Sequence, residues 1–326
     1  MKALHIGLGL SVAGLFVLSL LVGPAGIAAP EALSALVRGD GQTPVELVMR
    51  EIRLPRAILA VLVGASLGLS GAAMQGALRN PLAEPGVIGV SASAALGAVL
   101  ALQTGLAALV PMALPGAALL GAAVSVLMLH LLTRGAGTLE LILGGVAISA
   151  LASALTALVL NLSPNPFAVH EILFWMLGSL ADRSFVHVWT AAPVMLAGWL
   201  VLLRLGPGLD ALTLGEDAAA SMGVDLRRLR LGLVLGVAAS VGAATAVAGA
   251  IGFVGLVVPH MLRRAVGARP SALLLASALG GAALVLAADL AVRVILPERD
   301  LKLGVVMALL GAPLFLHLIR KNRSLS

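Results

Sequence analysis

The chain contains no cysteine, which excludes disulfides, thiolate metal sites and iron–sulfur clusters held by its own side chains. Lysine is almost as scarce. Lys2, Lys302 and Lys321 are the only ones, and none ends a glycine-rich loop ahead of Ser or Thr, so the chain has no phosphate-binding P-loop and is not its own nucleotide motor of that type. A His-Glu-x-x-His sequence is missing, which leaves a metalloprotease unsupported. Charged residues make up 11%, where soluble domains carry about a quarter. Aromatics are 3%, too few to stack bases. The net charge of +6 and a pI of 11.1 come from arginines scattered between apolar runs, a pattern of membrane topology rather than nucleic-acid binding.

What is abundant is apolar sequence: 60% of residues, with a mean hydropathy of +1.09. One soluble core could not hide that surface, so lipid is the solvent for most of the chain. The N-terminus, Lys2 followed by an apolar run and small residues at Gly26 to Ala29, has some marks of a signal peptide. It is read as an uncleaved first span, because the run is uncharged, long enough to cross, and followed by more spans. Candidate spans fall at about 4–23, 55–78, 86–105, 112–132, 139–161, 186–204, 230–249, 270–291 and 303–319, with Pro111, Pro115 and Gly116 splitting one long apolar stretch. A short apolar segment from Phe253 to Ala265 leaves the count at nine or ten. Counting it puts Lys2, Arg79, Arg134, Arg204, Arg227, Arg228, Arg230, Arg263, Arg264, Arg269, Arg320, Lys321 and Arg323 on the cytoplasmic side, where short loops should hold the positive excess, and Arg38, Arg50, Arg53, Arg56, Arg183, Arg293, Arg299 and Lys302 outside. Ten spans are therefore expected, with both termini cytoplasmic. The fold expectation is an all-α integral membrane protein of about ten transmembrane helices, one domain over residues 1–326, with short helices in an outer loop (172–180) and a cytoplasmic loop (214–222).

Several motifs carry potential chemistry. Gly64-Ala65-Ser66-Leu67-Gly68 matches a hydrolase nucleophile elbow on paper, but it lies inside an apolar helix rather than a strand–turn–helix. Gly68-Leu69-Ser70-Gly71 resembles the serine motif of intramembrane rhomboid proteases, which needs a histidine base nearby. Gly64, Gly68 and Gly71, and Gly232 with Gly236, have the spacing that lets helices approach closely in lipid. Asp289 and Glu140 are the acids an ion-coupled carrier could use, but both fall near predicted span ends, and Asp289 with Arg293 four residues on reads as an ion pair on one helix face. Thr213-Leu214-Gly215-Glu216 reads as a capping box, with Asp217 in the first turn and Gly223 at the stop. The residues alone leave that short helix as either an interfacial helix or one offered to a cytoplasmic partner.

Ordered motifs then resemble a known family. These are Arg53-Leu54-Pro55-Arg56, Gly71 and Gln75, Arg79-Asn80-Pro81-Leu82-Ala83-Glu84-Pro85, and Trp175 with Gly178-Ser179. They continue with Leu214-Gly215 to Met222-Gly223, Gly252-Phe253-Val254-Gly255 to Pro259-His260, Ala288-Asp289 with Arg293, and Gly311-Ala312-Pro313. Together they are similar to the iron-siderophore, heme and cobalamin permeases, type II importers of the ATP-binding-cassette class. The resemblance covers nearly the whole chain. The chain departs from it at Ala268-Arg269-Pro270, where an Asp-His-Arg-like stretch is common, and at Lys302, where many members have proline.

The resemblance implies a transporter subunit and not an enzyme, paired with a second permease (a homodimer), two copies of a cytoplasmic ATPase and an external substrate-binding protein. This chain itself would bind no cofactor or metal, and ATP and Mg would be used by the ATPase. Leu214, Gly215, Glu216, Asp217, Ala220, Met222 and Gly223 would couple to the ATPase. Asn80, Pro81, Leu82, Thr138 and Leu139 would form the cytoplasmic gate. Arg53, Arg56 and Arg293 would dock the binding protein. The spans near 139–161 and the piece at 172–180 would line a weakly polar pathway. A metal chelate is the implied cargo, with a ferric siderophore ahead of heme and cobalamin, and a bacterial inner membrane is the implied location. An ion-coupled secondary carrier of a small solute is the alternative.

Overall fold

The computed structural model describes residues 1–23, 26–38, 43–110, 112–133, 137–295 and 301–323, and the side chains of these except residues 38, 138 and 316–323. Pro111 and Arg134 thus lie outside the described residues, as do the side chains of Arg320, Lys321 and Arg323. The described residues form helices and turns with no strand. In chain order these are α1 (Lys2–Leu21), α2 (Ala29–Arg38) and α3 (Pro44–Leu47), which passes through a π-helical stretch, Val48–Arg53, into α4 (Leu54–Ala77). Then come α5 (Val90–Gln103), α6 (Leu106–Leu109), α7 (Ala113–Leu132), α8 (Thr138–Asn161), α9 (Pro166–Met176) and α10 (Phe185–Arg204). The rest are α11 (Gly206–Leu212), α12 (Glu216–Ser221), α13 (Leu226–Ala248), α14 (Val254–Leu262), α15 (Pro270–Ile295) and α16 (Leu303–Arg323).

Seven of these stretches are long and apolar enough to cross a bilayer: α1, the continuous Pro44–Ala77, α7, α8, α10, α13 and α15. Two shorter apolar helices add to these, α5 and the Leu303–Phe315 part of α16, and the segment on which the count of nine or ten turned is the nine-residue α14. Sequence hydropathy catches α14 poorly because its helix is only nine residues long, begins at Phe253 in a left-handed conformation (φ 66°), and is preceded by non-helical backbone. The outer-loop helix is shifted from the expected 172–180. It runs Pro166–Met176, starting where the Asn165 side chain accepts the Phe167 N–H and ending before Gly178, whose φ of 75° a helix cannot hold.

The centre of the bundle is α4 and α13. Of their apolar windows, 83% and 78% is buried, against 11% for α1. Glycine sets the closeness of that centre. Gly64 and Gly68 of α4 lie directly against the backbone of Gly281 and Ser277 of α15, and Gly71 lies against Gly255 of α14. Gly236 of α13 likewise meets Gly198 and Leu202 of α10. In lipid, where the hydrophobic effect does not drive helices together, this backbone approach supplies the packing. Gly68→Leu is expected to destabilise the protein by about 1–3 kcal/mol or more, because the obstacle is the Ser277 carbonyl, which cannot swing away. Gly14→Leu, with open space around it, should change little. Thermal unfolding in detergent compares the two, and equal midpoints would refute the packing argument.

Candidate transport sites

The loop between α10 and α13 is built as a bracket. Asp210 of α11 reaches the start of α15, accepting the Ser271 N–H at 2.8 Å, the Ser271 hydroxyl at 2.6 Å and Arg269 Nε at 2.9 Å. A remote carboxylate thus satisfies a first-turn donor that α15 would otherwise leave open. Past it, Thr213 spends its hydroxyl on the Asp210 carbonyl (2.6 Å), so the capping box read from the sequence does not form. Gly215 is the N-cap instead, at φ 110°, a conformation that favours glycine. Glu216, freed from capping, accepts Arg230 Nη2 of α13 at 2.7 Å. The short helix is therefore α12, Glu216–Ser221, pinned by that ion pair and by fully buried Ala219. Its free side presents Leu214 (68% exposed), Asp217, Ala220, Met222 (64%) and Gly223, the last at φ 87°.

Burial pushes the Asp210 carboxyl up, but its bonds from Ser271 and Arg269 outweigh this and hold it below the usual 3.8. A depressed carboxylate stabilises the fold fully above its unfolded value and loses that contribution as pH falls through its native value. Asp210→Asn should therefore lower the thermal midpoint at neutral pH, and the gap to the unsubstituted protein should close below pH 3.8. A gap that persists in acid would show that the carboxylate charge is not what matters.

At the same end of α4, a turn carries three of the expected gate residues. Arg79 takes a positive φ of 48°. The Asn80 N–H returns to the Gln75 carbonyl, and Asn80 Oδ1 accepts the Leu82 N–H at 2.9 Å. Pro81 follows Asn80 within this closed turn, and Leu82 is left exposed. Glu84 then accepts the Phe253 N–H at 3.1 Å, bracing the strained residue that opens α14. Gln75 is fully engaged as well: it donates to the Gly255 and Leu256 carbonyls and accepts Arg263 Nη2 at 2.9 Å. The chain that follows the turn packs on α8, where Ser149 Oγ donates to the Gly86 carbonyl and Gly145 lies against Val87. Leu139 is exposed at the start of α8, and the side chain of Thr138 lies outside the described ones. Among the described residues no hydrogen bond joins Leu139 to the Asn80 turn.

The third cluster sits at the opposite end of α4, since Arg56 and Gln75 are roughly 29 Å apart along that helix. Here the structure changes how the expected docking arginines read. Arg53 is 4% exposed, and its Nη1 donates to the carbonyls of Leu20 (2.8 Å) and Leu21 (3.0 Å). Arg293 Nη1 donates to the carbonyls of Ser19 (2.9 Å) and Val22 (3.0 Å), and its Nη2 to Ser19 Oγ. Two guanidiniums thus cap the C-terminal carbonyls of α1, the end at which the helix dipole favours positive charge. Gly23 leaves room for this, because a Cβ there would lie 2.9 Å from Arg53 Nη2. Asp289 pairs with Arg293 at 3.0 Å, as the four-residue spacing foretold, and also with Arg56 at 2.8 Å. Side-chain exposure is 18% for Arg56 but 7% for Arg293 and 1% for Asp289. Arg56 is the member turned most toward the surface.

The remaining candidates resolve simply. Ser66 is fully buried and accepts the Trp199 Nε1–H at 2.8 Å, and Ser70 is buried with no hydrogen-bond partner among the described residues. Among the described residues no histidine bonds to either, so neither serine has the base a nucleophile needs. No group of metal-ligating side chains occurs among the described residues. The α9 end is locked in place by backbone bonds from Ser179 to Ala248 (2.8 Å) and from Gly304 to Gly178 (3.3 Å), while Arg183 Nε holds the Val247 carbonyl at 2.6 Å. One broad face of α8, including Leu143, Val146 and Leu151, is exposed and uncharged.

The described residues form a helical membrane bundle with a short, partly exposed helix, α12, in the loop between α11 and α13. Residues 10–321 match the FecCD transport family, and the chain belongs to that family. It is 41% identical over 322 residues to the vitamin B12 import system permease protein BtuC of Vibrio cholerae, covering 98% of this chain and 93% of that one. It is 38% identical to the hemin transport system permease protein HmuU of Yersinia pestis, over 83% of each chain. It is also 38% identical to the Fe(3+) dicitrate transport system permease protein FecD of Escherichia coli, over 98% of this chain and 99% of that one. A solved structure described as an inward-facing conformation of a metal-chelate type ABC transporter superposes with a TM-score of 0.89 at 32% identity, covering 98% of this chain and all of the other.

Proposed function

We propose that the chain is the membrane permease of an ATP-binding-cassette importer that moves a metal chelate inward by alternating access. A ferric siderophore is the first choice of cargo, with heme and cobalamin next. The observation that carries the reading is α12: a short helix fixed from behind by Glu216–Arg230 and Ala219, with Leu214 and Met222 bared on its free side. Exposed apolar residues beside a fixed polar anchor suit a groove on a partner. In this reading two copies of the permease enclose the pathway, two ATPases bind the α12 loops and use ATP and Mg, and both termini lie on the ATPase side of a bacterial inner membrane. The Asn80 and Leu139 segments close the pathway at that end. The weakly polar face of α8 would let a bulky cargo pass without a site tight enough to retain it.

Docking of an external binding protein is assigned here chiefly to Arg56. Arg53 and Arg293 shape the surface beneath it by holding α1. The ion-coupled alternative loses support from Asp289, because an acid engaged by two arginines is a poor ion relay. The test is affinity capture of the tagged protein from its host's membranes in mild detergent, with partners identified by mass spectrometry. Co-capture of a P-loop ATPase in equal amount, together with a soluble binding protein that is lost on Arg56→Glu, supports the reading. Solitary capture of a carrier that works without ATP overturns it.

A further inference from the structure

Between the ends of α7, α8 and α13 lies a cavity of about 480 Å3, within the range of small-molecule sites. Its lining is sorted by depth. Thr133, Gly137 and Arg227 stand at the helix ends, while Leu141 and Val234 lie one to two turns further in, so Val234 is roughly 10 Å deeper than Arg227. His130 and Arg230 fill the level between. The charges are unequal in their commitments. Arg230 pairs with Glu216, and Asp225 pairs with Arg228 at 3.1 Å. Glu140 folds back over Gly137, its Oε2 lying 2.9 Å from where a Cβ would be. Arg227 has no ion pair or hydrogen bond among the described residues.

We infer that this cavity binds the headgroup of an anionic phospholipid, with phosphate at Arg227 and the glycerol and first methylenes against Leu141 and Val234. Two features favour a lipid over a soluble anion. The apolar wall leads from the basic level into the spanning part of α8 and α13, the layout expected where a headgroup sits between helices and its chains enter the bilayer. The basic level is also where the helices end, the depth at which the headgroups of that leaflet lie. The Arg230 guanidinium faces this cavity and also holds Glu216 of α12. Lipid occupancy is therefore linked to how firmly α12 is held. Binding itself does not depend on the import reading, and the test below reads binding alone.

The experiment is native mass spectrometry of the purified full-length chain during stepwise delipidation, with phosphatidylglycerol and phosphatidylcholine supplied equally. Phosphatidylglycerol should be retained in preference, and Arg227→Gln should lower its retention about tenfold, the loss of about 1.4 kcal/mol. Arg204→Gln, which removes a basic residue at the end of α10 outside the cavity, should retain it normally. Equal retention of the two lipids, or equal loss in both variants, would mean general attraction to the protein surface and would overturn the site. Displacement by soluble glycerol phosphate would identify a free anion as the occupant and overturn the lipid assignment.

Discussion

Replacing Glu216 with arginine should reduce cargo uptake about tenfold or more while the chain still accumulates in the membrane and still captures its ATPase. The substitution places like charges where Glu216 Oε2 and Arg230 Nη2 now stand 2.7 Å apart. Like-charge contact of that kind costs up to several kcal/mol at an interface, tempered here by the partial exposure of both groups. The helix is only six residues long and cannot hold its own position by backbone bonds alone. Losing the pin lets α12 swing, so that ATPase motion is no longer delivered to α13. ATP hydrolysis should continue while uptake of radiolabelled ferric siderophore, hemin or cobalamin into vesicles falls.

The exchanged pair, Glu216→Arg with Arg230→Glu, separates two explanations. If Glu216 acts by pinning α12, the swap restores much of the uptake. If the ATPase reads the Glu216 charge directly, the swap does not. Met222→Asp, which alters the free side and leaves the pin intact, should impair coupling without rescue by the swap. Uptake that is unchanged in Glu216→Arg at normal expression would remove α12 from the coupling path.

Much of this bundle was readable from composition and order because membrane helices are written locally. Ten apolar segments, the small-residue faces at Gly64, Gly68 and Gly236, and the Asp289–Arg293 spacing all follow from neighbours on one helix. Contacts between remote segments were not legible. Arg56 and Asp289 are 233 positions apart, and Asp210 and Ser271 are 61 apart, distances at which spacing carries no signal. The capping box failed for a different reason. Thr213 and Glu216 have the right types and separation, but Gly215 between them leaves the helical path, and both side chains find better partners in Asp210 and Arg230. The resemblance to known permeases implied a docking role for Arg53, Arg56 and Arg293 from their positions alone. The direction in which Arg53 and Arg293 point depends on where α1 ends, which only the fold reveals.

That arrangement makes Asp289→Leu the substitution with the largest expected cost. Its carboxylate is the counter-charge for Arg56 and Arg293 in a cluster that also holds Arg53. Removing one partner of a buried ion pair typically costs about 3–5 kcal/mol, because the remaining charge stays buried and uncompensated. Here two guanidiniums lose their partner together. Arg293, drawn toward water, would also release Ser19 and Val22, so α1 should loosen first. Hydrogen exchange should rise across α1 before α4 or α13, whose glycine-packed faces do not depend on the cluster. Arg293→Leu weights the capping role: Asp289 loses one ion pair but keeps Arg56, while Ser19 and Val22 of the α1 end lose their donor, so α1 should exchange faster with a smaller fall in the thermal midpoint. Adding Arg56→Leu to Asp289→Leu removes one of the stranded charges and should recover part of the loss, a coupling that a double-mutant cycle measures directly. If Asp289→Leu unfolds at the same temperature as the unsubstituted protein, or if the double substitution is no better than the single one, the charge balance of this cluster is not what holds α1 to the bundle.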